Sequence, residues 1–420
     1  MMRWVVILAG VAVLFGGCSR TAAPAGNREA PAANRETAEV LPIRVSGEGV
    51  EASEPAVARD ASGAIFVVYV EHSDKKADVF LQKLDASGKA AGDKVRVNPN
   101  LGEAKAWQGD PPTIAVGRDN TIYIGWTRNS TEKDLKGNDL LLSASLDGGR
   151  TFGEPARVND DAKPASHGMH SLAIDKTGRI YLAWLDERNV HSQPHMMNMA
   201  GAAMHHEEAA EPNSEVFYSY STDGGKTFAA NRKIASDVCP CCKTTLLAAD
   251  DGTVYAAWRQ VLRHDHRHIA VASSSDGGDS FSEGVIVSDD NWQIHACPVS
   301  GAALAADGAK TLDVVWYTAG EAGQAGVYFA RSSDGGKSFG PRILVSNEAG
   351  GGTPVLLERD GRSTAVFQAL DGGTFTAKWS GTPASSLNIT KTAKASVPAA
   401  ANGVSAFVSE GKVWVVMSEQ

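Results

Sequence analysis

The stretch DVCPCCKTTL, residues 237–246, places Cys239, Cys241 and Cys242 within four positions, and QIHACPVSG adds Cys297 with His295 beside it. Thiols so close together can ligate one soft cation, close a disulfide, or cycle between those states. SHGMH supplies His167, Met169 and His170. A long tract after Trp184, LDERNVHSQPHMMNMAGAAMHHEEAAEPNSE, carries His191, His195, Met196, Met197, Met199, Met204, His205 and His206. RQVLRHDHRH, after Trp258, carries His264, His266 and His268. Five of the eight methionines fall between 169 and 204, so thioethers are concentrated near the thiols and imidazoles. Thiolate, thioether and imidazole together favour copper, Cu(I) above all, and also suit zinc.

Compartment decides how many of those thiols are free to ligate. MMRWVVILAGVAVLFGGC has one early positive charge, a short apolar run and small residues before Cys18. That is the pattern of a secretory leader over 1–17. It resembles a bacterial lipoprotein signal, which implies that Cys18 is the lipidated first residue of the mature chain. Residues 18–40 are rich in Ala and Pro with few large apolar side chains, as in a flexible tether. The expected location is the cell envelope, anchored to a membrane by lipid and facing the periplasm or the exterior. In that oxidising setting the four remaining cysteines are an even number with three possible pairings. A Cys241–Cys242 bridge is strained. The easier arrangement joins Cys297 to one member of the cluster and leaves a CxC or CxxC pair to bridge, bind metal or cycle. A net charge of −9 without a basic run argues against nucleic acid as a partner.

The elements that position these residues are set by a repeat. SLDGGRTF (145–152), STDGGKTF (221–228), SSDGGDSF (274–281) and SSDGGKSF (332–339) are four copies of one motif, and LDASGK (84–89) is a decayed fifth. The motif resembles the Asp box of the sialidase-like (BNR-repeat) β-propeller superfamily. Asp147, Asp223, Asp276 and Asp334 can each accept hydrogen bonds from amides of their own turn while the glycines take positive φ, a structural role. Before each box stands an apolar strand, an Asp-containing turn and a second strand ending in an aromatic, as in HSLAIDKTGRIYLAW and TLLAADDGTVYAAW. Each repeat is therefore a four-stranded antiparallel blade. The expected fold is all-β: a six-bladed β-propeller over 41–420 with Asp-box turns and a Met/His-rich loop at 186–214. The tail GVSAFVSEGKVWVVMSE completes the last blade or closes the ring with EVLPIRVSG.

Register then fixes which face the chemistry occupies. The boxes join the third and fourth strands, so they lie on the lower face. The segments entering each innermost strand, and the loops after each second strand, lie on the upper face. CPCC, HACP and SHGMH all precede innermost strands of consecutive blades. The best reading is an upper face that binds a soft metal, copper first and zinc second, on a monomer that can also dock an envelope protein.

Two other functions follow from the same features. The sialidase resemblance implies an exo-acting glycoside hydrolase with an arginine triad and a tyrosine nucleophile, for which Arg128, Arg188, Arg259 and Tyr317 are the available residues. The Phe/Tyr-Arg-Ile-Pro motif of that family is absent, and no catalytic acid is assigned by motif. A non-enzymatic protein-binding propeller with structural disulfides is the third reading, with Trp107 and Trp292 as candidate anchors on upper-face loops.

Overall fold

The computed structural model describes residues 4–10, 35–38, 43–74, 76–105, 110–130, 137–190, 213–296, 298–308, 310–359, 362–369, 374–392, 404–409 and 412–419. The third repeat shows how the sequence makes one unit. An inner strand His167–Ile174 turns back into Ile180–Asp186, which pairs with Ser214–Ser221 and then with the outer strand Arg232–Val238, all antiparallel. Ile180–Asp186 is buried at every position, because neighbouring units cover both faces of its sheet. Trp126, Trp184, Trp258 and Trp316 occupy equivalent places in successive second strands, each at most 1% exposed. Each indole N–H has a partner: Ser143, Asp186, Gln260 and Asp290 respectively. Satisfying that donor removes the cost of burying it unpaired.

The Ser-x-Asp-Gly-Gly turns lock unit to unit. The Asp147 carboxylate accepts from the amides of Arg150 and Thr151, both at 3.0 Å, and from the Thr151 hydroxyl at 2.6 Å. Ser145 Oγ closes the turn by accepting from Gly149 N. Gly149 has φ 87° and lies against Leu81 of the preceding unit, where a Cβ would approach within 2.7 Å. Asp223, Asp276 and Asp334 make the same hydroxyl and amide contacts. These hydrogen bonds hold all four carboxyls below the usual carboxylate range. Asp223→Ala is expected to lower stability by only about 0.5–1.5 kcal/mol, because the lost bonds are exposed to solvent. Thermal melting checks this, and an unchanged melting temperature would remove the structural role.

The inner strands Glu51–Arg59, Thr113–Val116, His167–Ile174, Thr245–Ala248, Ala302–Asp307 and Val355–Arg359 neighbour one another in turn. This is a propeller arrangement of antiparallel sheets. Two of its four-stranded units, the third and fourth, fuse into one eight-stranded sheet through a single pair, Val238 opposite Gln260.

The expectation of six units is corrected at the closure. The sixth unit takes its outer strand, Asn388–Thr392, from the chain directly after Thr374–Ser380, so the tail is not needed there. The tail strands Val404–Ser409 and Lys412–Glu419 instead form a further sheet with Trp4–Gly10 and Ile43–Arg44. Val404–Ser409 lies between the first and sixth inner strands, which makes seven units around the ring among the described residues. In the full, uncleaved chain Trp4–Gly10, within the expected leader, pairs antiparallel with Lys412–Glu419, and Arg35–Ala38 of the expected tether pairs parallel with Asn388–Thr392. A short apolar, β-branched run is compatible with both a leader and a strand. Among the described residues no helix is long and apolar enough to cross a membrane.

Candidate metal centre

The thiol turn hangs from the seam between the third and fourth units. Strand Arg232–Val238 ends at the Val238–Gln260 pair, and Cys239 N then donates to Arg259 O at 2.9 Å. Asp237 enters the turn with φ 57°, a left-handed conformation that a non-glycine residue keeps only under constraint. After Pro240, Cys242 N reaches back to Cys239 O, and Thr244 N, just before the inner strand Thr245–Ala248, donates to Met169 O in the inner strand of the third unit. The backbone is therefore held at both ends and the three side chains fold inward.

The three sulfurs lie within 4.8 Å of one another. Cys239 Sγ is 3.1 Å from Cys242 Sγ and 3.6 Å from Cys241 Sγ. Cys239 and Cys242 are fully buried, Cys241 is 9% exposed, and Val261 and Val299 wall the group. All three are free thiols. Arg267 Nη1 donates to Cys239 Sγ at 3.0 Å, and Ser300 N points at Cys242 Sγ. Contacts with the Cys241 and Cys242 sulfurs, helped by Arg267, hold Cys239 far below the usual thiol range. Cys241 and Cys242 are pushed up, the latter chiefly by burial. Cys239, beside the Arg267 guanidinium, is thus the sulfur of the group most readily ionised.

Arg259 lies beside the same turn and is fully buried. Its Nε donates to Ser300 O and its Nη2 to Tyr317 O, both at 2.9 Å, and its guanidinium sits 4.9 Å from the centre of the Trp292 ring. Trp292 also meets Tyr317 edge-on. Arg259 and Tyr317 are therefore neighbours. Arg128 and Arg188, by contrast, are each engaged by carboxylates: Arg128 by Glu103 and Asp139, Arg188 by Asp160 and Asp186.

The other expected ligands have surroundings of their own. His167 is buried, with Nδ1 on Asn138 O at 2.5 Å and Nε2 at 3.3 and 3.4 Å from Asp161 and Asp186. Those two carboxylates raise it to about 9 against the cost of burial. His170 is buried with Nδ1 3.4 Å from Asp110. Met169 has φ 52° at a bulge, and its side chain packs in the apolar core with Val238 and Trp258. His264 lies in the short turn Arg263–Asp265. The His266 and His268 rings stack 6.4 Å apart on either side of Arg267 in sequence. His295 is exposed and pairs with Asp265 at 2.8 Å. Among the described residues the thiols are the one cluster of three with metal-ligand spacing. Cys18, Cys297, Trp107 and the tract residues His191, His195, Met196, Met197, Met199, Met204, His205 and His206 lie outside the described residues. Val299, two positions after Cys297, does pack against the thiol group.

Sequence reasoning missed Arg267. It stands between His266 and His268 in RHDHRH, and its pairing opposite Val261 carries it to the thiols.

No family model and no curated protein matches the chain. Among solved structures it is similar to an ulvan lyase of a new polysaccharide lyase family bound to a GlcA(1-4)Rha3S saccharide. That match has a TM-score of 0.50 and 10% identity over 81% of this chain and 78% of that one. It is also similar to a Hadza microbial sialidase, with TM-score 0.49, 14% identity, and coverage of 81% and 65%. A protein of unknown function from Dyadobacter fermentans aligns with TM-score 0.47 and 14% identity over 88% and 96%. Likeness at such identity is one of fold alone: an all-β fold of antiparallel sheets.

Proposed function

We propose that this chain is a lipid-anchored envelope propeller whose thiol turn, Cys239, Cys241 and Cys242, holds Cu(I). The observation that carries the reading is the convergence of three free, buried sulfurs within 4.8 Å on one short turn. Cu(I) accepts two or three thiolates and needs no fixed higher geometry, and zinc is the second metal such a set would take. Cys241 is the sulfur with residual exposure, so it is the point at which an incoming ligand would reach the ion. In this reading the Met/His tract at 186–214 gathers copper at lower affinity, cleavage before Cys18 removes Trp4–Gly10 from the closing sheet, Cys18 and the segment to residue 40 tether the mature chain to a membrane, and an envelope protein receives or supplies the metal.

The test is a free-thiol count on the purified full chain followed by titration of the reduced protein with Cu(I) against a competing chelator. One tight equivalent per chain is the expected result. Thiols locked in bridges as isolated, with no tight equivalent after reduction, would make CPCC a covalent staple and overturn the proposal.

A further inference from the structure

Resting on that reading, we infer that Arg259 and Arg267 select the charge of the ion, so that the thiol turn takes a monovalent soft cation, Cu(I) or Ag(I), in preference to Zn(II).

A buried guanidinium is costly unless an opposite charge accompanies it. Arg259 is 0% exposed and Arg267 is 7% exposed. Their hydrogen-bond acceptors are Ser300 O, Tyr317 O and Cys239 Sγ. Among the described residues neither has a carboxylate partner. Each keeps a buried nitrogen without any acceptor, Nη1 of Arg259 and Nε of Arg267. This contrasts with Arg128, Arg188, Arg331 and Arg342, all of which are ion-paired with aspartate or glutamate. The nearby Lys243 feels Asp110 and Glu54 rather than the thiols. The groups left to balance two buried positive charges are the sulfurs.

Charge arithmetic then distinguishes the metals. Three thiolates and one monovalent ion sum to −3 + 1 = −2, which the two guanidinium groups neutralise. Three thiolates and a divalent ion sum to −3 + 2 = −1, which leaves one positive charge buried and uncompensated. In water that difference would be small. In a site with Cys239 and Cys242 fully buried behind Val261 and Val299, charge mismatch is poorly screened. The spare N–H groups of both arginines are also donors suited to electron-rich sulfur. Arg267 touches a ligand sulfur and Arg259 acts on Cys242 by charge alone, so both tune selectivity and take no part in ligation.

The test compares two affinities in the reduced full chain, Cu(I) against a chromophoric Cu(I) chelator and Zn(II) against a chromophoric zinc chelator. Wild type, Arg267→Gln and Arg267→Lys are measured side by side. The inference expects the ratio of Cu(I) to Zn(II) affinity to fall by about tenfold or more in Arg267→Gln and to be largely retained in Arg267→Lys, which keeps the charge. Arg259→Gln removes the second of the two charges should Arg267→Gln fail to fold. Equal loss of both metals, or an unchanged ratio, would overturn charge selection while leaving the copper site intact. A wild-type protein that binds neither metal would overturn the site and this inference with it.

Discussion

Cys241→Ser/Cys242→Ser is expected to weaken Cu(I) binding by three orders of magnitude or more, on the order of 4 kcal/mol. Serine is nearly the shape of cysteine, so the turn keeps its backbone bonds from Cys239 N to Arg259 O and from Thr244 N to Met169 O. What changes is the ligand. A hydroxyl is hard, ionises poorly and offers little to a soft monovalent ion. Cys239 would remain as a single thiolate on Arg267, one ligand where Cu(I) needs two or three. Chelator competition reads the affinity, and circular-dichroism melting reads whether the fold survives. Full-strength binding by the double-serine protein would remove these sulfurs from the site, however well the fold survived.

The largest stability effect is expected away from the thiols, at Asp186. This carboxylate is fully buried and accepts from Trp184 Nε1 at 2.7 Å and from Arg188 Nε and Nη2 at 3.0 and 2.9 Å, with His167 Nε2 3.4 Å away. Asp186→Ala leaves an indole donor unsatisfied and strips one counter-charge from two cations. A loss of about 3–5 kcal/mol in urea unfolding is the expected size for breaking a buried ionic cluster by removing one partner. The pH dependence should change as well. His167 is raised from 6.5 to about 9 in the folded protein, so its contribution is fully present below about pH 6.5 and fades as pH climbs through 9. In Asp186→Ala, with only Asp161 beside the ring, that fading should be shallower. Unfolding curves at about pH 6 and about pH 9.5 measure the difference. Equal slopes in the two proteins would show that Asp186 does not hold the proton on His167.

How far the sequence speaks depends on the range over which each feature is determined. The Asp147, Asp223, Asp276 and Asp334 turns were legible because carboxylate, hydroxyl and glycines lie within a few positions and bond to one another. The thiol cluster was legible for the same reason. The surroundings of His167 were not: Asp161 and Asp186 flank it at separations no motif specifies, and the pairing of adjacent strands brings them together. Arg267 escaped notice because strand pairing opposite Val261, not spacing, takes it to the sulfurs. The closure of the ring was legible in part: the tail shares a sheet with Ile43–Arg44 of EVLPIRVSG, but nothing local in the apolar WVVILAG announces its pairing with Lys412–Glu419.

The single Val238–Gln260 pair that fuses two units also governs how long a bound ion would stay. A metal held on a protruding loop escapes at the rate at which that loop frays. Here the next amide after the weld is Cys239 N, bonded to the neighbouring unit through Arg259 O. To splay the sulfurs, the third unit must part from the fourth along an interface that includes Val216, Tyr218 and Trp258. Release by fluctuation then becomes a rare, cooperative opening with the kinetics of subglobal unfolding, and the amides of Val238 and Cys239 should be among the slowest to exchange with deuterium. Fast turnover of the ion would have to come from an acceptor that docks at Cys241 and draws it out sulfur by sulfur, which makes departure depend on acceptor concentration and not on the protein's own breathing.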